Sequence, residues 1–256
     1  MILDKIPIWA IPILLLVLVM LAIEAGYRLG HISALSIDKE SPVSAISGSI
    51  LGLLGFVLAF TFSIVYNRYE TRKQLLREEA NAIGTTYLRT DFMAEPDQGR
   101  SKDLLREYVD LRLSAANVNS RQELDRVISE SERIQGELWK LAAAGIRKDL
   151  NSPAGALYVN SLNEMIDLHS NRLAAAIIDR LPNWIWTSLI LLLLLGMLSI
   201  GYLNAITSKN RTTISVILAI SFSIVFFIIM ALDRPLSGLF TVSHQLMANT
   251  KAMMVK

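Results

Sequence analysis

The sequence predicts an all-α membrane protein, with four transmembrane helices and a cytoplasmic helical bundle inserted between the second and the third. Three observations carry that expectation. Apolar residues make up 52% of the 256 and gather toward both ends of the chain, as membrane segments flanking a water-exposed domain do. The middle is strongly charged. In that middle the apolar residues recur at helical spacing, with no strand-like alternation.

Crossing the hydrocarbon takes about 20 apolar residues as a helix, and four stretches have that length. They run from about Ile6 to Ala25, Val43 to Tyr66, Trp184 to Ile206, and Ile214 to Leu232. Trp9, Trp184 and Trp186 lie at segment ends, where indole rings favour the headgroup region. The first stretch is longer than the apolar core of a cleaved signal, although AIEA (22–25) offers a loose cleavage site. The fourth is the clearest, because no charge interrupts Ile214 to Ala231.

Orientation follows from Lys and Arg near the segment ends. Lys5, Arg68, Arg72, Lys73, Arg77, Arg172, Arg180 and Arg234 fall on one side, against Arg28, Lys39, Lys209 and Arg211 on the other. The richer side is expected to be cytoplasmic, which puts both termini and residues 67–182 there. The expected division is 1–66 (spans one and two), 67–182 (helical domain), 183–232 (spans three and four) and a cytoplasmic tail, 233–256. A net charge of only +2 argues against nucleic acid as a partner. Cysteine is absent, which excludes disulfides and thiolate metal sites.

Within the middle domain, no glycine or proline lies between Phe56 and Ala82, so the second span is expected to continue as a stalk. It can run to Glu95-Pro96, since the residue before proline disfavours helix. A helix over 44–94 would be roughly 75 Å long. A second helix is expected through Leu104, Leu105, Tyr108, Val109 and Arg112, with Ser101 as its N-cap. Another spans about Arg121 to Ile146, with Leu124, Val127, Ile128, Ile134, Leu138 and Leu141 as the buried stripe. NSPAG (151–155) opens a last helix that runs to Arg180.

The second span carries the most information. Gly48, Gly52, Gly55, Ala59 and Ser63 recur three or four apart, a small-residue face that allows close helix packing in lipid. Phe56 and Phe60, four apart, lie on a neighbouring face. In a symmetric oligomer a ring of such phenylalanines would form an apolar constriction that gates by dewetting. Arg68, Arg72 and Lys73 follow where the helix leaves the membrane.

The stretch GFVLAFTFSIVYNRYE resembles the neck helix of bestrophins: a phenylalanine, three residues, a second phenylalanine, and an arginine two turns on, here Arg68. REEANAIGTTYLR (77–89), LLREYVDLRL (104–113), LNEMIDLHSNRLAA (162–175) and LDRPLSG (232–238) resemble the prokaryotic bestrophin-like domain family. The resemblance covers most of the chain. It implies a homo-oligomeric channel, pentameric in bestrophins, for small inorganic ions with anions favoured. Phe56 and Phe60 would then be the constriction of a pore lined by the second helix, in the inner membrane. Gly52 departs from the larger apolar residue that bestrophins generally place there, and the acidic calcium clasp of animal bestrophins is not recognisable. No cofactor is implied.

Other groups carry a plainer role beside a sharper one. His169 could sense pH or join Glu164, Asp167 and Glu78 or Glu79 in a cation site, but Glu164 and His169 are five apart and poorly placed on one face. Glu78 and Glu79 are expected to pair with Arg72 or Arg106. Asp233 and Arg234 end the fourth span, either as a helix stop with an interfacial arginine or with Asp233 paired to Arg68 or Arg72 at the pore mouth. Glu24 is expected at the interface. His31 and His244 have no nearby base partner, no metal site is expected, and no GxSxG, Walker A or HExxH motif points to an enzyme. The rival to a channel is a signalling or scaffold protein whose helical domain binds cytoplasmic partners. A cation-selective channel of the same architecture is the other alternative.

Overall fold

The computed structural model describes residues 7–33, 40–115, 118, 120–207, 213–234, 240 and 242–255. Lys5, Ile6, Lys39, Asn117, Lys209, Arg211 and 235–238 of LDRPLSG lie outside them. Every regular element among the described residues is helical. In chain order they are α1 (Ala10–Ser33), α2 (Glu40–Arg89), α3 (Asp97–Ser114), α4 (Arg121–Lys148), α5 (Pro153–Leu173), α6 (Asn183–Thr207), α7 (Thr213–Asp233) and α8 (Gln245–Met253). A 3-10 turn, Thr90–Phe92, closes α2, and a π-helical turn, Ala174–Ile178, closes α5. Stretches within α1, α2, α6 and α7 are long and apolar enough to cross a bilayer. The chain is a multi-pass membrane protein.

Two compact units form. The membrane unit comprises residues up to Tyr69 with Arg180–Phe240, and the bundle unit Glu70–Asp179 with the C-terminal segment from 241. The long helix α2 contributes to both. Its continuity has the cause expected from the sequence, since helix formers run without a breaker from Phe56 to Ala82.

The membrane unit is built on a close approach between α1 and α6. A Cβ on Gly26 would collide with the carbonyl of Leu198, and one on Gly201 with the carbonyl of Ile23. A Cβ on Gly30 would come within 2.7 Å of the Ala205 methyl. Lipid supplies no hydrophobic force between helices, so such backbone approach, with its dispersion contacts, stabilises the pair. Around it, Leu15 and Val19, Leu54 and Leu58, Leu189 and Leu193, and Phe226 and Ile229 form one buried core from all four spans.

The bundle unit buries Ala80 and Ile83 of α2 against Leu104, Leu105 and Val109 of α3, Ile134 and Leu138 of α4, and Leu162 and Met165 of α5. Helix starts follow ordinary capping chemistry. Ser120 accepts the Glu123 N–H at 3.1 Å, and Ser152 the Gly155 N–H at 3.1 Å, with Pro153 at the first position. Ser101 is a correction: α3 begins a turn earlier, at Asp97, and the Glu95 carboxylate accepts the Gly99 N–H at 3.3 Å. That start puts Ser101 inside the helix, fully buried beside Tyr158. The tail also returns to the bundle as α8. There the Met254 carbonyl accepts from the Tyr87 hydroxyl at 2.9 Å and Arg106 Nε at 3.1 Å, and Lys251 pairs with Asp110 at 2.6 Å.

Candidate functional site

The membrane part of α2 is two-sided. Ser47, Leu54, Leu58, Thr61 and Val65 are buried at heptad-like spacing. Ser47 Oγ donates to the Ser199 carbonyl of α6 at 3.4 Å, and Thr61 returns its hydroxyl to the Val57 carbonyl at 2.8 Å. Among the described residues the other side is open. A Cβ at Gly48, Gly52 or Gly55 would meet no atom within 4 Å, and Ala59 and Ser63 are exposed. Among the described residues, then, close helix packing is served by Gly26, Gly30 and Gly201 and not by the small face.

Phe56 and Phe60 stand on the same open side, 62% and 58% exposed. Their rings meet edge to face, centroids 4.7 Å apart, the arrangement that the ring quadrupoles favour. One turn of helix thus presents both aromatics as a single apolar ridge.

At the end of the span, Asp233 is 2% exposed and its Oδ1 accepts the Leu181 N–H at 3.1 Å. Arg180 Nε donates to the Asp233 carbonyl at 3.3 Å. The Trp186 indole is a further partner of the carboxylate, and the charges of Arg180 and Arg68 lie nearby. Of the two arginines expected beside Asp233, Arg68 is there, half-buried; Arg72 counts with the bundle unit and is 9% exposed. Arg234 is buried as well, and Lys73 pairs with Glu70 at 3.3 Å. Trp186 corrects the interfacial expectation: it is 3% exposed, whereas Trp9 and Trp184 are each 69% exposed. Near the other end of the membrane unit, Glu24 pairs with Arg28 at 2.8 Å and His31 stacks on Tyr27.

The bundle holds a buried polar network that sequence reasoning missed. Glu79, fully buried on α2, accepts from the Tyr108 hydroxyl at 3.1 Å, lies 3.1 Å from Arg112 Nε, and is also bonded by Arg172. Tyr108 in turn meets Gln135 Nε2 and His169 Nδ1, each at 3.2 Å. These contacts decide the tautomer. Tyrosine has one hydroxyl proton and gives it to Glu79, so His169 donates from Nδ1 and its Nε2 is a bare acceptor.

Burial pushes the His169 pKa down to about 4, helped by the Arg112 charge. It also lowers Arg172 to about 10, lowers Arg112 and His244, and raises the Tyr108 phenol. His169 is therefore neutral, and Glu79 shares two guanidiniums.

Several expected partners are corrected here. Glu79 shares a face with buried Leu76, Ala80 and Ile83, which carries it to Arg112 and Arg172 rather than to Arg72 or Arg106. Glu78 points off that face and accepts from Gln74 at 2.8 Å, while Arg106 pairs with Asp103 at 2.9 Å. Glu164 and Asp167 are exposed, and Asp167 bonds Asn163, so neither joins buried His169. Among the described residues no three His, Cys, Asp or Glu side chains gather as a metal site. The available signals were Tyr108 and Arg112 one turn apart, and His169 and Arg172 likewise.

The sequence matches the Bestrophin-like domain over residues 14–247. The chain belongs to that family. Solved structures agree on the fold. A membrane protein carrying a proline-to-alanine substitution superposes with a TM-score of 0.64 at 16% identity, covering 97% of each chain. A bacterial bestrophin homologue from Klebsiella pneumoniae, with an isoleucine-to-threonine mutation, gives 0.63 at 14% identity, covering 97% of this chain and 99% of the other. A Klebsiella pneumoniae homologue with a tyrosine-to-alanine mutation gives 0.59 at 17% identity, with 97% coverage of each. No curated protein matches the sequence.

Proposed function

We propose that the protein is a homo-oligomeric ion channel, pentameric by its resemblance to bestrophins, whose central pore is lined by α2 and favours small anions such as chloride. The observation that carries this reading is the side of α2 that is open among the described residues. Gly48, Gly52, Gly55, Phe56, Ala59, Phe60 and Ser63 are all open on one helix whose other side is packed. Phe56 and Phe60 form the constriction, where an apolar ring sheds water and resists a bare ion. Arg68 and Lys73 give the inner mouth its positive field, which concentrates anions. Asp233 and Arg234 are buried and act as the frame of that mouth. The bundle 67–182, both termini and the 233–256 tail face the cytoplasm, and the protein sits in the inner membrane.

The pore-lining helix α2 is 50 residues long and contributes to both units. The test is ion flux into liposomes holding the purified protein, with chloride and sodium gradients applied separately. Chloride flux is expected, and Phe56→Ala and Phe60→Ala should each raise the resting flux. A monomeric protein that passes no ion under either gradient would sink the proposal. Sodium flux exceeding chloride flux would leave a pore and remove the anion assignment.

A further inference from the structure

The C-terminal segment packs with the bundle unit, and its helix α8 lies on α2 and α3. Polar contacts hold its far end. Thr250 Oγ1 donates to the Ala80 carbonyl at 3.3 Å, Lys251 pairs with Asp110, and the Met254 carbonyl accepts from both Tyr87 and Arg106. Met247 and Met254 are buried in the contact.

The near end is built differently. His244 is the residue before α8; its carbonyl accepts the Ala248 N–H at 3.0 Å, and its side chain does not cap the helix. The ring is instead half-buried near Arg112 of α3 and Arg172 of α5. Its Nδ1 is shut off from water with no partner among the described residues.

Arg112 and Arg172 both pair with Glu79 of α2, and that carboxylate also accepts the Tyr108 hydroxyl proton. Gln135 of α4 and His169 of α5 complete the cluster as neutral groups. Within α8 the first charged residue is Lys251, two turns on and also a cation. A proton on His244 would therefore put a third cation around one carboxylate. It would also stand at the positive end of the α8 dipole, where cations are unfavourable. Released into water, the same ring carries neither cost.

We propose that residues 244–254 are an acid-released strap, docked on the bundle while the His244 ring is neutral and freed when that ring takes up a proton. The sign follows from linkage. Burial and the two arginines lower the docked His244 pKa below the ordinary 6.5, so the free segment binds the proton more readily. Docking is at full strength above pH 6.5 and weakens as the pH falls from there. The docking constant drops by up to about tenfold per pH unit until the docked ring itself protonates. His169 is 1% exposed with a pKa of about 4, and only opening of the core reaches it. The two histidines thus differ in which segment their protons release.

Hydrogen exchange of the whole chain in detergent, read by mass spectrometry and corrected for intrinsic rates, follows each segment separately. Between about pH 7.5 and pH 5.5, peptides from 245–253 should lose about tenfold in protection while those from 104–109 keep theirs. His244→Gln should hold 245–253 protected at both pH values. Lys251→Ala weakens docking and leaves the histidine in place, so it should lower protection at both and keep the tenfold fall.

An equal fall in the parent and His244→Gln would remove the histidine as the trigger. No fall in the parent would remove the acid release itself. Loss at 104–109 in step with 245–253 would mean that the bundle opens as one body, without a separate strap. The measurement needs no ion flux, so it decides the strap whether or not α2 lines a pore.

Discussion

Glu79 of α2 and Arg112 of α3 meet at 3.1 Å with side chains 0% and 5% exposed, and Arg172 of α5 approaches the same carboxylate from a third helix. One buried anion holds two cations. Removing one member of a buried pair costs about 3–5 kcal/mol, because the survivor is left charged and unpaired. Glu79→Gln leaves two such survivors. Its melting temperature in detergent should fall by on the order of 10 °C. Adding Arg172→Met should recover part of that loss, since it removes one orphaned charge. If the double variant melts no higher than Glu79→Gln, the shared-carboxylate account is wrong.

His169 gives the bundle a pH dependence with a definite sign. Its pKa is about 4 when folded against an ordinary value of 6.5, so the unfolded chain binds the proton more readily. The contribution is complete above pH 6.5, falls as the pH drops from there toward 4, and is constant below. That difference corresponds to roughly 3 kcal/mol. Burial depresses His244 in the same direction. Melting curves between about pH 7.5 and pH 4 should show His169→Gln losing less stability than the parent. Parallel curves for the two proteins would refute the assignment.

How much of this was legible in the sequence depends on whether the signal is local. The spans are local: about twenty apolar residues cannot be placed otherwise at low cost in free energy. The unbroken α2 is local too, because an absence of breakers is visible in the chain. The Phe56–Phe60 ridge follows from a spacing of four. Glu79 is different, because a glutamate between Arg77 and Arg89 on a charged stalk looks like many solvated ones. Its partners, Arg112 and Arg172, lie 33 and 93 positions away in the chain. The glycine stripe on α2 was visible in the chain, whereas the glycines that do touch, on α1 and α6, belong to helices far apart in sequence. Ser101 misled because a serine before Leu104 and Leu105 is a good cap only if nothing upstream starts the helix first.

Asp233 and Leu181 tie the end of α7 to the start of α6, carboxylate to backbone N–H at 3.1 Å. Asn keeps an acceptor oxygen there, while Ala leaves the buried N–H unmade at a cost of about 1–3 kcal/mol. Asp233→Ala should therefore melt below Asp233→Asn, which in turn melts below the parent because Arg68 and Arg180 lose a counter-charge. Equal melting of the two variants would mean that only the charge matters.

The sharpest contrast concerns two glycines. Gly201 sits where a Cβ would strike the Ile23 carbonyl, a backbone atom that no side-chain rotation can move aside. Gly136 is exposed on α4, and a Cβ there meets nothing within 4 Å. The same change to alanine should act in opposite directions. Gly136→Ala removes the conformational freedom of glycine in a helix and should add about 0.5–1 kcal/mol. Gly201→Ala forces α1 and α6 apart and loses the packing that holds them, so it should lower both melting temperature and yield of folded protein. Melting of the two single variants beside the parent checks both signs at once. A Gly201→Ala protein as stable as the parent would show that α1 and α6 do not need the close approach.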